Sequence, residues 1–220
     1  MRAPIFFCLT LMLSASQVFA AGPKTEFGKI QAAYATFKNQ FDGLACKNKT
    51  LDPKPILVSQ SASQFLVPVA TYSMKTVKRD YILKPLSALI TQLNRYAASK
   101  NEKSRKLLRA QIRHQHRYFD GFPVLIVLEA QSKAHLGADK LSQGQFAGAE
   151  DLFLDAKALL EAASITRSAK AEINKATTGF DMALLAARRE EPVSKALANS
   201  MIAKIEVSLL QASLAVQSQP

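Results

Sequence analysis

The sequence predicts an all-α fold, a single domain of about seven helices arranged as helical hairpins. Three observations predict it. Apolar residues recur at helical spacing along most of the chain. Ala, Leu, Lys and Gln are plentiful and Trp is absent, a composition that favours helix. Short breaks containing Gly, Pro or Asn separate the periodic stretches.

The first twenty residues stand apart. Met1 and Arg2 give a positive start, Ile5 to Leu13 is apolar except for Thr10, and Val18 and Ala20 form a small-residue cleavage pattern. This reads as a secretory signal peptide cut after Ala20. The run is shorter than the roughly 20 apolar residues that span a bilayer. The expected product is an exported, periplasmic chain of about 200 residues, long enough for one domain with a sizeable core. Cys8 would leave with the peptide, so Cys46 would remain alone and form no intrachain disulfide. Asn48-Lys49-Thr50 is a glycosylation sequon only for a eukaryotic pathway.

Phe27, Ile30, Tyr34, Phe37 and Phe41 place a first helix over 26–42, broken at Gly43, Pro53 and Pro55. The segment 56–74 is the least helical part, with a short extended piece expected around Phe65 to Val69 and Pro68 ending any helix. Pro85 is expected to start the next helix, marked by Leu86, Leu89, Ile90, Leu93 and Ala97. Leu107, Leu108, Ile112 and Phe119 mark another, closed by Asp120-Gly121. The apolar run after Pro123 continues through Ala134, Ala138 and Leu141, so its length makes it one long helix. A helix follows over 146–163. Ile173, Ala176, Phe180 and Leu184 mark the next, and Pro192 starts the last, with Val193, Leu197, Met201, Ile205, Leu209 and Val216 inward.

Gly144, Phe146, Ala149, Phe153 and Ala156 share the spacing of a tetratricopeptide-like hairpin over 124–163. Gly144 permits a tight turn. Ala149 and Ala156 let the helix backbones approach, and Phe146 and Phe153 fill the space beside them. No tandem array follows: Gly179 lies 35 residues on, but Glu190 stands where Ala is needed. Gly28, Ile30, Ala33 and Phe37 repeat the offsets upstream, so the domain uses one packing device twice.

The front helix, the "FLVPVATYSM" segment, the hairpin broken by "ASKNEKS", the apolar run after Gly121 and Pro123, and "QGQFAGAEDLFLDAKALLEA" together resemble the YfdX family over roughly residues 26–163. The resemblance implies an α-helical periplasmic protein, oligomeric and tied to stress response. It supplies no catalytic residues. The tail 168–217 has no counterpart in it.

Charge is uneven. Residues 21–120 carry 18 Lys and Arg against 6 Asp and Glu, net +12, whereas 121–220 carry 10 against 11, net −1. Arg105, Arg109, Arg113 and Arg117 recur every four residues, with Lys100 and Lys103 just before. At 100° per residue they span about 120° of a helix surface. Like charges four apart repel, so the stripe needs a counterpart. Internal pairing with Glu150, Asp151, Asp155 and Glu161, or plain solvation, is favoured. The competing reading is an external anion such as a phosphate or lipid headgroup. Nucleic acid is disfavoured, because no aromatics interleave the arginines.

His114 and His116 point about 200° apart on a helix, so they do not share a metal, and none is expected. His116 falls at the edge of the core face. There is no Glu-x-x-His pair, haem motif, phosphate loop or Gly-x-Ser-x-Gly elbow. No cofactor and no catalytic residue is therefore expected. The expected function is non-enzymatic, through protein contacts that include the protein's own copies. The alternative is anion binding through the basic helix face.

Overall fold

The structure is a computed structural model that describes residues 25–45 and 54–219. The expected signal peptide, Cys46 and the sequon at Asn48 lie outside the described residues. Among those described there are eight helices and no strand: α1 Glu26–Ala45, α2 Pro55–Thr71, α3 Asp80–Ala98, α4 Glu102–Gly121, α5 Val124–Ser142, α6 Phe146–Ala162, α7 Arg167–Arg188 and α8 Lys195–Gln217. No described helix is long and apolar enough to cross a membrane.

Each helix packs on its chain neighbour within α1–α4 and within α5–α8. In addition α1 meets α4, α8 meets α5, and α4 meets α8. The chain thus closes on itself twice, and the two halves share one continuous apolar core. In the front half the core is aromatic. Phe37 stacks on Phe41 at 5.4 Å and on Phe65 at 5.8 Å, and meets Phe119 edge-on at 5.3 Å. Three helices, α1, α2 and α4, converge on that ring.

The eighth helix is α2, over the segment expected to be irregular or extended. Pro68 lies inside it. A proline there removes one helical hydrogen bond, to the carbonyl four residues back. That residue is Gln64, which is exposed. Val58, Ala62, Phe65 and Val69 are buried at helical spacing, and this apolar face outweighs the missing bond.

The same correction applies to Pro85. It does not start α3, which begins at Asp80. The carbonyl it leaves open belongs to Tyr81, and this one is in the core. The Tyr118 hydroxyl of α4 donates to it at 2.5 Å. That hydroxyl also lies 3.0 Å from the Ser213 Oγ of α8. A defect in one helix is thus filled by another.

Several boundaries also shift. Helix α1 runs through Gly43 to Ala45, and α8 starts at Lys195 with Ser194 as its N-cap, two residues beyond Pro192. Asn101 caps α4, its side chain accepting from the Lys103 and Ser104 amides at 2.9 and 3.3 Å. Leu107, expected inward, is 63% exposed, and Leu197 is exposed while Ala198 takes its inward place.

Helices α5 and α7 end alike. In α5 the Gln145 amide reaches the Lys140 carbonyl and the Gly144 amide reaches Leu141. In α7 the Glu191 amide reaches Ala186 and the Glu190 amide reaches Ala187. Both are Schellman closures, which place the C′ residue in the left-handed region. Gly144 meets this freely at φ 74°, but Glu190 is held at φ 51°. The pair makes a matched prediction. Gly144→Ala should destabilise by about 1 kcal/mol and Glu190→Gly should stabilise by a similar amount. Urea midpoints that move in the same direction for both would contradict it.

Candidate functional site

Ala149, Phe153 and Ala156 are fully buried between helices, and Phe146 packs at the core edge. The facing position on α5 is Gly137, where an added Cβ would lie 2.6 Å from the Phe153 ring. The ring of α6 therefore lies directly on the backbone of α5. Gly137 was not among the expected crossing residues, although it lies seven residues before Gly144, on the last turns of α5. These residues hold the fold and present no reactive group.

The basic residues divide into two sets. Four-residue steps advance 400°, so the arginine row drifts 40° per step around α4. Arg105 and Arg109 fall at the edge of the core. The Arg105 guanidinium lies over the Tyr96 ring at 4.7 Å and donates to the Tyr96 hydroxyl at 3.2 Å. Arg109 pairs with Glu102 at 2.5 Å. Arg113 and Arg117 face solvent, as do Lys100 and Lys103. Lys106, seven residues before Arg113, shares that outward face and was missed because it breaks the four-residue step. The outward strip is therefore Lys103, Lys106, Arg113 and Arg117. From 103 to 117 it extends about 21 Å along the helix.

The expected internal counterpart is not where this strip is. Glu150 of α6 pairs with Arg188 at 2.7 Å, and Asp155 pairs with Lys133 at 2.8 Å. Helix α6 packs between α5 and α7, so its carboxylates meet those helices and not α4. Two of the four expected carboxylates, Glu150 and Asp155, thus pair away from the strip. Among the described residues Lys103, Lys106 and Arg113 have no ion pair.

Beneath the C-terminal end of the strip is a charge cluster the sequence reading did not assemble. Lys38 of α1 bonds Asp42 one turn on, and Asp120 of α4 at 2.5 Å. The two nitrogens of His116 face Asp42 at 3.0 Å and Asp120 at 2.8 Å. Burial works against the Lys38 charge, but hydrogen bonds to Asp120 and Asp42 outweigh it and hold its pKa above the ordinary value. The carboxylate and imidazole ligand atoms lie within 4.8 Å of one another, a separation a metal ion could bridge. Here the Lys38 ammonium already supplies the cation between the two aspartates. The cluster ties α1 to α4 and fixes the backbone behind the strip.

A second network crosses the core where α3, α5 and α8 meet. The Tyr81 hydroxyl donates to Gln131 Oε1 at 2.6 Å, and the Gln131 amide donates to Glu206 Oε1 at 3.4 Å. His135 Nε2 lies 3.0 Å from the same oxygen, and Lys78 Nζ lies 3.4 Å from the other. The Glu206 side chain is only 4% exposed. Burial pushes its carboxyl up, but the His135 hydrogen bond and charge, with Lys78, prevail and hold it below the ordinary glutamate range. Burial first, then the nearby Tyr118 and Glu206 charges, push the Tyr81 hydroxyl well above its ordinary range, so it remains a donor. Compared with protein-family models, curated proteins and solved structures, the chain matches none.

Proposed function

We propose that the protein is a non-enzymatic exported helical protein that works by contact, its α4 face docking on an anionic surface. The observation that carries this reading is the outward strip of Lys103, Lys106 and Arg113, which has no ion pair among the described residues, while two of its four expected carboxylate partners, Glu150 and Asp155, pair with Arg188 and Lys133. The strip is long and lies on a convex helix, not in a pocket. Such a shape suits an extended array of charges, and phosphate-bearing lipid headgroups are the class we assign. Juxtamembrane basic residues contribute about 1 kcal/mol each toward an anionic bilayer. The YfdX resemblance, an exported stress-related protein, is compatible with a place at such a surface.

Contact among copies is the second reading. Ile56 and Val67 are exposed on one side of α2, about three turns apart, apolar positions that a second copy could cover.

The test is sedimentation with vesicles. The parent should bind anionic phospholipid vesicles at low salt and release as salt rises, because screening shortens to about 8 Å near physiological ionic strength. The double variant Lys106→Glu with Arg113→Glu should lose about 2 kcal/mol or more of vesicle affinity. Its melting temperature should be unchanged, since surface substitutions stay within about 0.5 kcal/mol. Equal binding to neutral vesicles, or binding that persists in the double variant, would overturn the surface reading. A light-scattering mass of the parent above one chain that falls in Val67→Asp would support the second.

A further inference from the structure

A cleft of ≈ 410 Å³ opens where the α2–α3 loop passes the start of α3 and the side of α8. That volume lies in the range of small-molecule sites, about 300–1,000 Å³. Its floor is the buried pair Gln131 and Glu206, its upper wall is Lys75 and Lys78, and its apolar wall is Leu83 and Leu210.

The walls are held in place. The loop is anchored at one end by Glu26, which accepts from the Ser73 amide and hydroxyl, both at 2.5 Å. At the other end Arg79 donates to the Val69 and Tyr72 carbonyls at 2.9 and 3.0 Å, closing the end of α2. A cleft with fixed walls loses less entropy on filling.

The charges choose the ligand. Glu206 needs no cation from outside, because His135, Gln131 and Lys78 already meet its two oxygens. Asp80 on the rim pairs with Lys84 at 2.8 Å. Lys75 is exposed and has no ion pair among the described residues, and Lys78 keeps an exposed side chain while touching Glu206. The surplus in the cleft is positive. Its apolar wall does not stop at Leu210, which is 41% exposed. Val207, three residues before, and Leu214, four after, continue the same exposed face of α8.

We infer that this cleft binds an amphiphilic anion, a single negative head on an apolar chain. Lys75 and Lys78 take the head, and the chain lies on Leu83 and Leu210 and runs out along α8. The site is separate from the α4 strip and does not depend on it. A carboxylate or a phosphate monoester head would meet the two ammonium groups alike.

Calorimetric titration of the full chain decides it, with decanoate, decyl phosphate, decanol and inorganic phosphate, each below its aggregation concentration. At least one of decanoate and decyl phosphate should bind one per chain. The head that binds names the source: both for any anionic head, decyl phosphate alone for a phosphate ester. Decanol and inorganic phosphate should each bind about tenfold or more weaker, for want of the charge-assisted bonds or the apolar wall. Lys75→Glu should weaken the bound anion about tenfold. It leaves the Lys78–Glu206 contact intact, so the fold is not at stake. Lys106→Glu with Arg113→Glu should leave cleft binding unchanged, which separates this site from the α4 face. Decanol binding as tightly as the anions, inorganic phosphate binding as tightly as decyl phosphate, full affinity in Lys75→Glu, or no binding of either amphiphile would each overturn the assignment.

Discussion

Phe37→Ala is expected to destabilise the protein by about 3–5 kcal/mol, the range for deleting a buried phenyl ring. The ring is fully buried and touches aromatic partners from α1, α2 and α4. Its loss removes apolar area from water-free packing. It also removes aromatic pair contacts, which contribute about 0.5–1.5 kcal/mol each beyond area. The neighbours cannot close the gap cheaply, because they sit on three separate helices. Collapse would require helix movement, and a void remains. Urea denaturation followed by circular dichroism measures the change. A midpoint that corresponds to less than 1 kcal/mol would mean the three helices do not meet on this ring.

Glu206→Ala is expected to cost about 1–3 kcal/mol or more at neutral pH, the range for leaving buried hydrogen-bond donors without their acceptor. The variant leaves His135 and Gln131 without their acceptor at the centre of the α5–α8 contact. The pH dependence identifies the cause. The folded chain holds the Glu206 carboxyl below its ordinary range. The ionised group therefore stabilises the fold above the unfolded value, about 4.3, and that contribution is lost as pH falls through the lower folded value. The stability gap between the parent and Glu206→Gln should be constant near neutrality and narrow as the solution is acidified below about pH 4. A gap unchanged down to pH 3 would show that Glu206 acts through shape and not through charge.

The helical class was legible because burial repeats with the helical period. Phe153 with Ala149 and Ala156 shows this within one helix, and Ile30 with Phe37 and Phe41 within another. Local rules failed where distant groups intervene. Pro68 and Pro85 read as boundaries because the bond each removes is visible in sequence. The apolar face that sustains α2, and the Tyr118 hydroxyl that reaches Tyr81, are not. The arginine stripe failed for another reason. A period of four is not the helical period, so half of the row turned toward Tyr96 and Glu102. A strict angular projection would have selected Lys106 instead of Arg105. The Glu206 network lies between. His135 and Glu206 are 71 residues apart, beyond any local pattern. Yet Glu206 stands four residues after Ile202 on the buried face of α8, and a carboxylate in that row was a usable sign of a buried partner.

The exchange between Pro85, Tyr81 and Tyr118 also bears on the order in which the chain folds. Helix α3 cannot complete its own bonding at Tyr81, since the donor comes from α4, 37 residues later. The same hydroxyl meets Ser213 near the end of the chain. The start of α3 is therefore not a local helix that forms early and waits to be packed. Its closure coincides with the docking of α4 and α8. Short helices gain most of their stability from such tertiary contacts. Amide protons in the first bonded turns of α3 should accordingly exchange together with those of α4 and the end of α8, as one cooperative unit. In this protein a proline in a helix does not loosen the structure locally. It makes the first half of the chain wait for the last helix.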